Sequence, residues 1–160
     1  MRKIGVMAGA AAMAAAALVV SVPSWAQMEP PAVKERQEAM KEMGKQSGVI
    51  KGFVTEDKGD AAAVKAAADK IAATAKTLPA LFPKGSGRGD VDPKATRAMP
   101  KIWEDWAGFQ AAAKALETEA MALSKAADSG DKTAIASAFD SLGKKGCGGC
   151  HTAYRGPKVE

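Results

Sequence analysis

The chain has 160 residues, of which 47% are hydrophobic and 5% aromatic, and its formal net charge at pH 7 is +5. Arg2 and Lys3 supply two of these charges, so the chain without them carries +3. This balance gives no indication of nucleic-acid binding. Abundant alanine and the lack of β-branched runs favour helices, and the length fits a single domain.

The first segment has the pattern of an export signal. Arg2 and Lys3 precede an alanine-rich apolar stretch, and Ser24-Trp25-Ala26 is a small-X-small cleavage site. We therefore predict a signal peptide over 1–26 and an exported domain over 27–160, most simply in a bacterial periplasm and off the membrane after cleavage. The apolar stretch approaches the length of a membrane span, so an uncleaved anchor is the alternative.

Two amphipathic helices are predicted in the first half of the exported domain. Pro30-Pro31 opens the first, and Asp60 is the predicted N-cap of the second, which Pro79 and Pro83 end. A loop over 84–97, rich in glycine, follows. The predicted apolar faces comprise Val33, Met40, Met43, Ser47, Ile50 and Val54 in the first helix, and Val64, Ala67, Ala68, Ile71, Ala75 and Leu78 in the second.

Two further helices are predicted in the second half. The third begins at Pro100 and ends at Asp128-Ser129-Gly130, and the fourth runs from Asp131 to Gly156-Pro157. Their predicted apolar faces comprise Ile102, Trp103, Trp106, Phe109, Ala113, Leu116, Ala120 and Leu123 in the third helix, and Ile135, Ala138, Phe139 and Leu142 in the fourth. Four such helices with mostly short connections predict an all-α, antiparallel four-helix bundle.

The fourth helix carries Cys147-Gly148-Gly149-Cys150-His151, in a chain with no other cysteine or histidine. Cys-X-X-Cys-His is the attachment signature of c-type haem: both thiols bond to the porphyrin, and the imidazole ligates iron. Helical rotation of about 100° per residue places all three side chains on one face. Structural zinc is disfavoured because four protein ligands are lacking, while a plain disulfide or a redox dithiol remains an alternative. We expect one covalent haem c per chain.

Small side chains on the helix faces bury little apolar area. Haem is therefore expected to supply a large part of the core, and the protein without it is expected to be loosely packed. Four glycines over 143–149 lower helix propensity, and close packing of the flat macrocycle against the backbone would explain why they are tolerated.

Several segments resemble the cytochrome c′ family of class II c-type cytochromes. They are Val33 to Gln37, Leu81-Phe82-Pro83, Pro100 to Trp103, and Cys147 to Arg155. The resemblance implies a left-handed four-helix bundle with haem near its C-terminus, and often a homodimer formed through the first two helices.

The resemblance also places Met40 at the distal side of the haem. In low-spin relatives of the cytochrome c-556 kind a methionine there is the sixth iron ligand, whereas high-spin cytochromes c′ keep iron five-coordinate. We predict that Met40 ligates iron, with Met43 as its rival; the alternative is that Met40 only packs on the ring. His/Met ligation raises the reduction potential.

Three further residues complete the predicted site. Arg36 is expected to hydrogen-bond a haem propionate, or else to be a solvated surface arginine. Tyr154 is expected to pack on the proximal face of the haem or in the bundle. Arg155 matches a basic proximal residue of the family, and its alternative is a favourable charge at the helix C-terminus.

Two further patterns in the sequence have simple interpretations. The spacing of Trp103, Trp106 and Phe109 indicates core packing more than an aromatic path. Lys144 and Lys145, with Arg155 and Lys158, would form a basic rim around the haem edge, although a solvated surface is the simpler interpretation.

The function expected from these features is single-electron transfer between unidentified redox partner proteins, not enzymatic catalysis. The alternative is a five-coordinate protein that binds nitric oxide or carbon monoxide. A peroxidase is disfavoured because the chain has no distal histidine for acid–base catalysis.

Overall fold

A computed structural model describes residues 30–160, so the predicted signal peptide over 1–26 lies outside the described residues. The first helix, α1, spans Pro31–Glu56 and begins, as predicted, at a proline in its first turn. It ends at Asp57, whose φ of 52° lies in the left-handed region and reverses the chain. Within 30–160 the structure is mostly helical and has no strand, which confirms the predicted fold class.

The second helix, α2, spans Ala61–Thr77, and Asp60 is its N-cap as predicted. The Asp60 carboxylate accepts a hydrogen bond of 2.7 Å from the Ala63 N–H, which satisfies one of the free donors of the first turn. A 3₁₀ turn over Leu78–Leu81, with Pro79 inside it, ends the segment. All six residues of the predicted apolar face are buried: Val64, Ala67, Ala68, Ile71, Ala75 and Leu78.

The third predicted helix is wrong in one respect, because it is broken near its start. A short helix, α3, spans Lys101–Glu104, and the main helix, α4, spans Trp106–Ala127. Between them Asp105 leaves helical geometry, with φ −120° and ψ 57°, and its carboxylate accepts a 3.1 Å hydrogen bond from Gly108 N–H. Asp105 therefore acts as the N-cap of α4.

The last segment follows the predicted path but contains an unexpected wide turn. Helix α5 spans Lys132–Ser141 with Asp131 as N-cap, a π-helical turn spans Leu142–Gly148, and α6 spans Gly149–Tyr154. A Cβ on Gly146 would lie 3.0 Å from Leu116 Cδ1. Close approach to α4 therefore accounts for this glycine.

Two clusters of buried side chains fill the bundle. The alanine–leucine core comprises Ile50, Val64, Ala67, Ala68, Ile71, Ala75, Leu116, Ala120, Leu123, Ala127, Ile135 and Leu142. The aromatic core comprises Leu78, Phe82, Ala98, Ile102, Phe109, Cys150 and Tyr154. None of the helices in residues 30–160 combines the length and apolarity required to cross a membrane.

Candidate haem site

A cavity of about 720 Å³ lies between α1, the end of α2, the loop before α3, and the π turn with α6. Its volume falls within the range of roughly 300–1,000 Å³ that is typical of ligand and cofactor sites. Cys147, Cys150 and His151 all line this cavity. The structure therefore brings the three motif residues to one wall, as the helical spacing predicts.

The two cysteines lie at this wall and are not joined to each other by a disulfide. Burial raises the pKa of Cys147 and Cys150, and the neighbouring Cys147 raises that of Cys150 further. Both sulfurs are therefore uncharged near neutral pH. Residues 30–160 contain no cluster of three or more His, Cys, Asp or Glu side chains suited to a metal ion.

His151 lies beside the cysteines and is partly buried. Burial lowers its pKa, and the positive charges of Arg155 and Arg97 lower it further. The imidazole is consequently kept neutral, which is the form that binds iron through a ring nitrogen.

The facing wall of the cavity comes from α1. Met40 and Met43 line it, together with Gly44 and Ser47. Both methionines are partly buried and pack against the aromatic core, and Met43 also packs against the alanine–leucine core. The structure thus places both candidate sulfur ligands in the same cavity as His151.

Arg36 lies one turn before Met40 and is only 4% exposed, which excludes the alternative of a solvated surface arginine. Its guanidinium donates to Ser86 Oγ (2.9 Å), to the Ser86 carbonyl (2.5 Å) and to Thr96 Oγ1 (2.6 Å). It also lies 5.0 Å above the centre of the Phe82 ring. Arg36 therefore holds the loop over 84–97 beside the cavity, a role that the sequence did not indicate.

Gln37 has a similar role that the sequence did not reveal. Its side-chain amide donates a 2.7 Å hydrogen bond to the Ala95 carbonyl, and the loop residues from Pro93 to Ala98 line the cavity. The one available signal was its position in the Val33 to Gln37 segment that carries the family resemblance. Nothing in the glycine- and proline-rich loop itself indicates that it forms a wall of the site.

Tyr154 is buried and lines the cavity while its ring contacts the aromatic core. The ring meets Phe109 edge-on with centroids 5.4 Å apart. Its hydroxyl donates a 2.8 Å hydrogen bond to Asp105, and this bond raises the pKa of Tyr154. Asp105 thus ties α6 to the break before α4, a connection that sequence reasoning missed.

Of the four basic residues that the sequence offered for a rim, two lie at the cavity. Arg155 and Lys158 line the cavity, but Lys144 and Lys145 do not. Lys144 pairs with Asp140 at 2.7 Å, and Lys145 lies 3.9 Å from Glu119. The π turn rotates these lysines away from the cavity.

The residues around the cavity fit a covalently attached haem. Two uncharged thiols and a neutral imidazole stand on one wall, apolar side chains and a methionine pair form much of the rest, and basic residues at the edge suit two carboxylates. Fold and site together define a helical-bundle protein that carries covalent haem c.

Comparison with known proteins identifies the family. The family model described as Cytochrome C′ matches residues 31–155. The chain therefore belongs to the cytochrome c′ family of class II c-type cytochromes. It is 38% identical to a cytochrome c-556 of Agrobacterium fabrum over 124 residues, which cover 77% of this chain and 80% of the relative.

Solved structures agree with this assignment. Cytochrome c′ from Thermochromatium tepidum has a TM-score of 0.68 and 33% identity, covering 79% of this chain and 95% of that one. A second cytochrome c′, with a TM-score of 0.67 and 31% identity over 79% of this chain and 95% of that one, is described as showing ligand-controlled dimer dissociation. The four-helix bundle and the covalent haem are thus confirmed, and the chain belongs to a family of haem electron carriers.

Proposed function

We propose that this protein is a periplasmic carrier of single electrons whose haem iron is six-coordinate, with His151 and Met40 as axial ligands. The observation that carries the proposal is the convergence of Met40, His151 and both motif cysteines on one cavity of about 720 Å³. When bound, haem supplies a reversible one-electron change at iron. The chain supplies its attachment, ligands and surroundings.

The roles of the side chains follow from their chemistry. Cys147 on the π turn and Cys150 on α6 would anchor the porphyrin, and His151 would present a neutral imidazole to the iron. A thioether from Met40 on the other face is a soft ligand that favours ferrous iron. With His151 and Met40 both supplying ligands, the iron would have no open site for a substrate, which suits electron transfer without bond formation.

Packing favours Met40 over Met43 as the ligand. Met40 packs against the aromatic core, which contains Cys150 and Tyr154. Met43 packs against both cores, so part of its side chain is engaged in the bundle interior. Met40 is therefore the freer of the two thioethers to reach into the cavity.

Optical spectroscopy and carbon monoxide binding test this assignment. The reduced wild-type protein is expected to show sharp, split low-spin bands and slow binding of carbon monoxide, whereas M40A is expected to open the sixth position and bind it rapidly. M43A is the matched control one turn away, and M121A, at a position 56% exposed, controls for loss of a methionine far from the site.

Each contrary outcome has a definite meaning. If M43A opens the site and M40A does not, Met43 is the ligand. A high-spin wild-type spectrum with ready ligand binding would instead support the five-coordinate alternative that takes nitric oxide or carbon monoxide.

We further propose that Arg36 hydrogen-bonds a haem propionate while it holds the loop. Its burial and its place in the cavity wall support this role. R36K retains the charge but loses the planar fork that binds a carboxylate and the loop together. The reduction potential of the R36K variant should shift relative to that of a K34R control on the same helix. An unchanged potential would show that Arg36 contacts only the loop and not a propionate.

Export and assembly follow the same proposal. We expect the secreted chain to begin at Gln27, which N-terminal sequencing of periplasmic protein would check.

A homodimer is expected by analogy with the relative whose dimer responds to ligand. Sedimentation equilibrium would detect it, and a monomer at all accessible concentrations would exclude it.

A further inference from the structure

Basic side chains surround the mouth of the haem cavity, and no acidic residue among 30–160 lines it. We call this set the cationic rim, and it comprises Arg36, Lys41, Lys94, Arg97, Arg155 and Lys158. Its members come from α1, from the loop before α3 and from the segment after α6. Parts of the chain that are distant in sequence thus bring the same sign of charge to one opening.

The positive charge of the rim exceeds the net charge of the whole described chain. Residues 30–160 contain 21 Lys and Arg and 17 Asp and Glu, a net of +4. Since the rim carries six of those positive charges and no negative one, the rest of the described chain is net −2. The charge of this protein is therefore strongly polarised toward the cavity mouth.

The haem carboxylates do not account for the rim. Two propionates neutralise two charges, Arg36 is buried against Ser86 and Thr96, and Lys41 pairs with Glu38 at 2.7 Å. The other four members are exposed and form no ion pair with the described residues. These are Lys94, Arg97, Arg155 and Lys158.

The segments that carry these four charges are fixed to each other. Arg97 Nε donates to the Gly156 carbonyl at 2.8 Å, and the Gly156 N–H donates to the Arg97 carbonyl at 2.8 Å. The partly exposed side chain of Val159 lines the cavity mouth beside them. A charged ring held in place around an apolar contact has the composition of a protein-docking surface.

We propose that the cationic rim is the docking surface for an acidic redox protein, which rests on the proposed electron-transfer function. Complementary charge would raise the rate of encounter and orient the partner's redox centre toward the haem edge. One electron then passes from the reduced partner to ferric iron; the partner is oxidised, no bond forms and no proton moves.

Small redox ions test the local charge without any assumption about the natural partner. The test compares K94E/K158E with K51E/K125E, which makes the same change in net charge at exposed lysines on α1 and α4, outside the rim. Stopped-flow kinetics of the intact haem protein would use anionic hexacyanoferrate(II) and cationic hexaammineruthenium(II) as reductants at low ionic strength.

The rim variant should react at least about tenfold more slowly with the anion and faster with the cation, because the two substitutions lower the charge of the rim by four. The control variant should change either rate less than about threefold, and high salt should remove most of the difference. Equal effects of the two variants would overturn the proposal. Neither result depends on which residue is the sixth ligand, which the spectra decide separately.

Binding of a protein provides a second readout. An acidic flavodoxin serves as the probe in an NMR titration of the oxidised haem protein. Amide shifts should concentrate at residues 94–97 and 155–158. In K94E/K158E the apparent affinity for the flavodoxin should be at least about tenfold lower. Shifts centred elsewhere, or retained in that variant, would refute docking at the rim.

Discussion

The two cores of this bundle differ in what completes them. The alanine–leucine core joins α1, α2, α4, α5 and the π turn through small and aliphatic side chains that pack directly on each other. The aromatic core borders a cavity of about 720 Å³ and includes Cys150 and Tyr154 in its wall. Of the alanine–leucine core only Ile71 and Leu116 line the cavity. Side chains thus hold most of this region together, whereas the aromatic core needs the cofactor to fill its interior.

The largest expected effect comes from removing the cofactor's attachment with C147S/C150S. We expect the aromatic core to lose fixed packing while the alanine–leucine core stays folded. Near-ultraviolet circular dichroism should disappear with most far-ultraviolet signal retained. In hydrogen exchange, amides of α6 should open at least about 3 kcal/mol more easily than those of α2. Uniform protection across both regions would contradict the comparison.

A cavity made in the alanine–leucine core should lower the stability of the protein without disturbing the haem. Leu123 is fully buried in the alanine–leucine core, so L123A should lower the free energy of unfolding by about 2–5 kcal/mol and leave the haem spectrum unchanged. M121A, two residues away and 56% exposed, should change the free energy of unfolding by less than about 0.5 kcal/mol. Denaturant titration measures both, and a spectral change in L123A would show that the regions are not independent.

Overpacking at the junction of π turn and α4 should cost less. In G146A the new methyl group would lie 3.0 Å from Leu116 Cδ1 and 3.2 Å from Leu142 Cδ1, and we expect a loss of about 1–3 kcal/mol. G143A is the matched control, because nothing lies within 4 Å of its added Cβ. A loss of similar size in both variants would point to backbone effects of the π turn instead of contact with α4.

The smallest effect is expected at the link between α6 and the start of α4. Y154F removes the 2.8 Å hydrogen bond to Asp105 and should cost about 0.5–1.5 kcal/mol. D105S retains an N-cap oxygen for Gly108 and lacks the second carboxylate oxygen that Tyr154 contacts, so a double-mutant cycle isolates the bond. We expect a coupling of about 1 kcal/mol, and additive effects would show that the hydroxyl contributes nothing through Asp105.

The sequence predicts the alanine–leucine core better than the site. Val64, Ile71 and Leu78 recur with helical spacing, and periodicity alone places them on one buried face. The motif residues are equally clear, because Cys147, Cys150 and His151 combine a specific signature with a shared helix face. Local patterns are sufficient in both cases.

Contacts between distant segments are what the sequence leaves out. Arg36 reaches Ser86 across 50 residues, and Tyr154 reaches Asp105 across 49. Neither pair has a local pattern, since each bond depends on how two elements pack. The break at Asp105 was hidden for a related reason: an aspartate within an apolar helical pattern is also compatible with an exposed position on an unbroken helix.

The π turn over Leu142–Gly148 determines the orientation of every side chain that follows it. Such turns accommodate an additional residue within an α-helical path. Inserting one further residue there, beside the exposed Lys144, would exceed what the turn already absorbs and would rotate the following segment by about 100°. Cys150 and His151 would then leave the cavity together, so the length of this short segment is as strictly required as the identity of the ligands themselves.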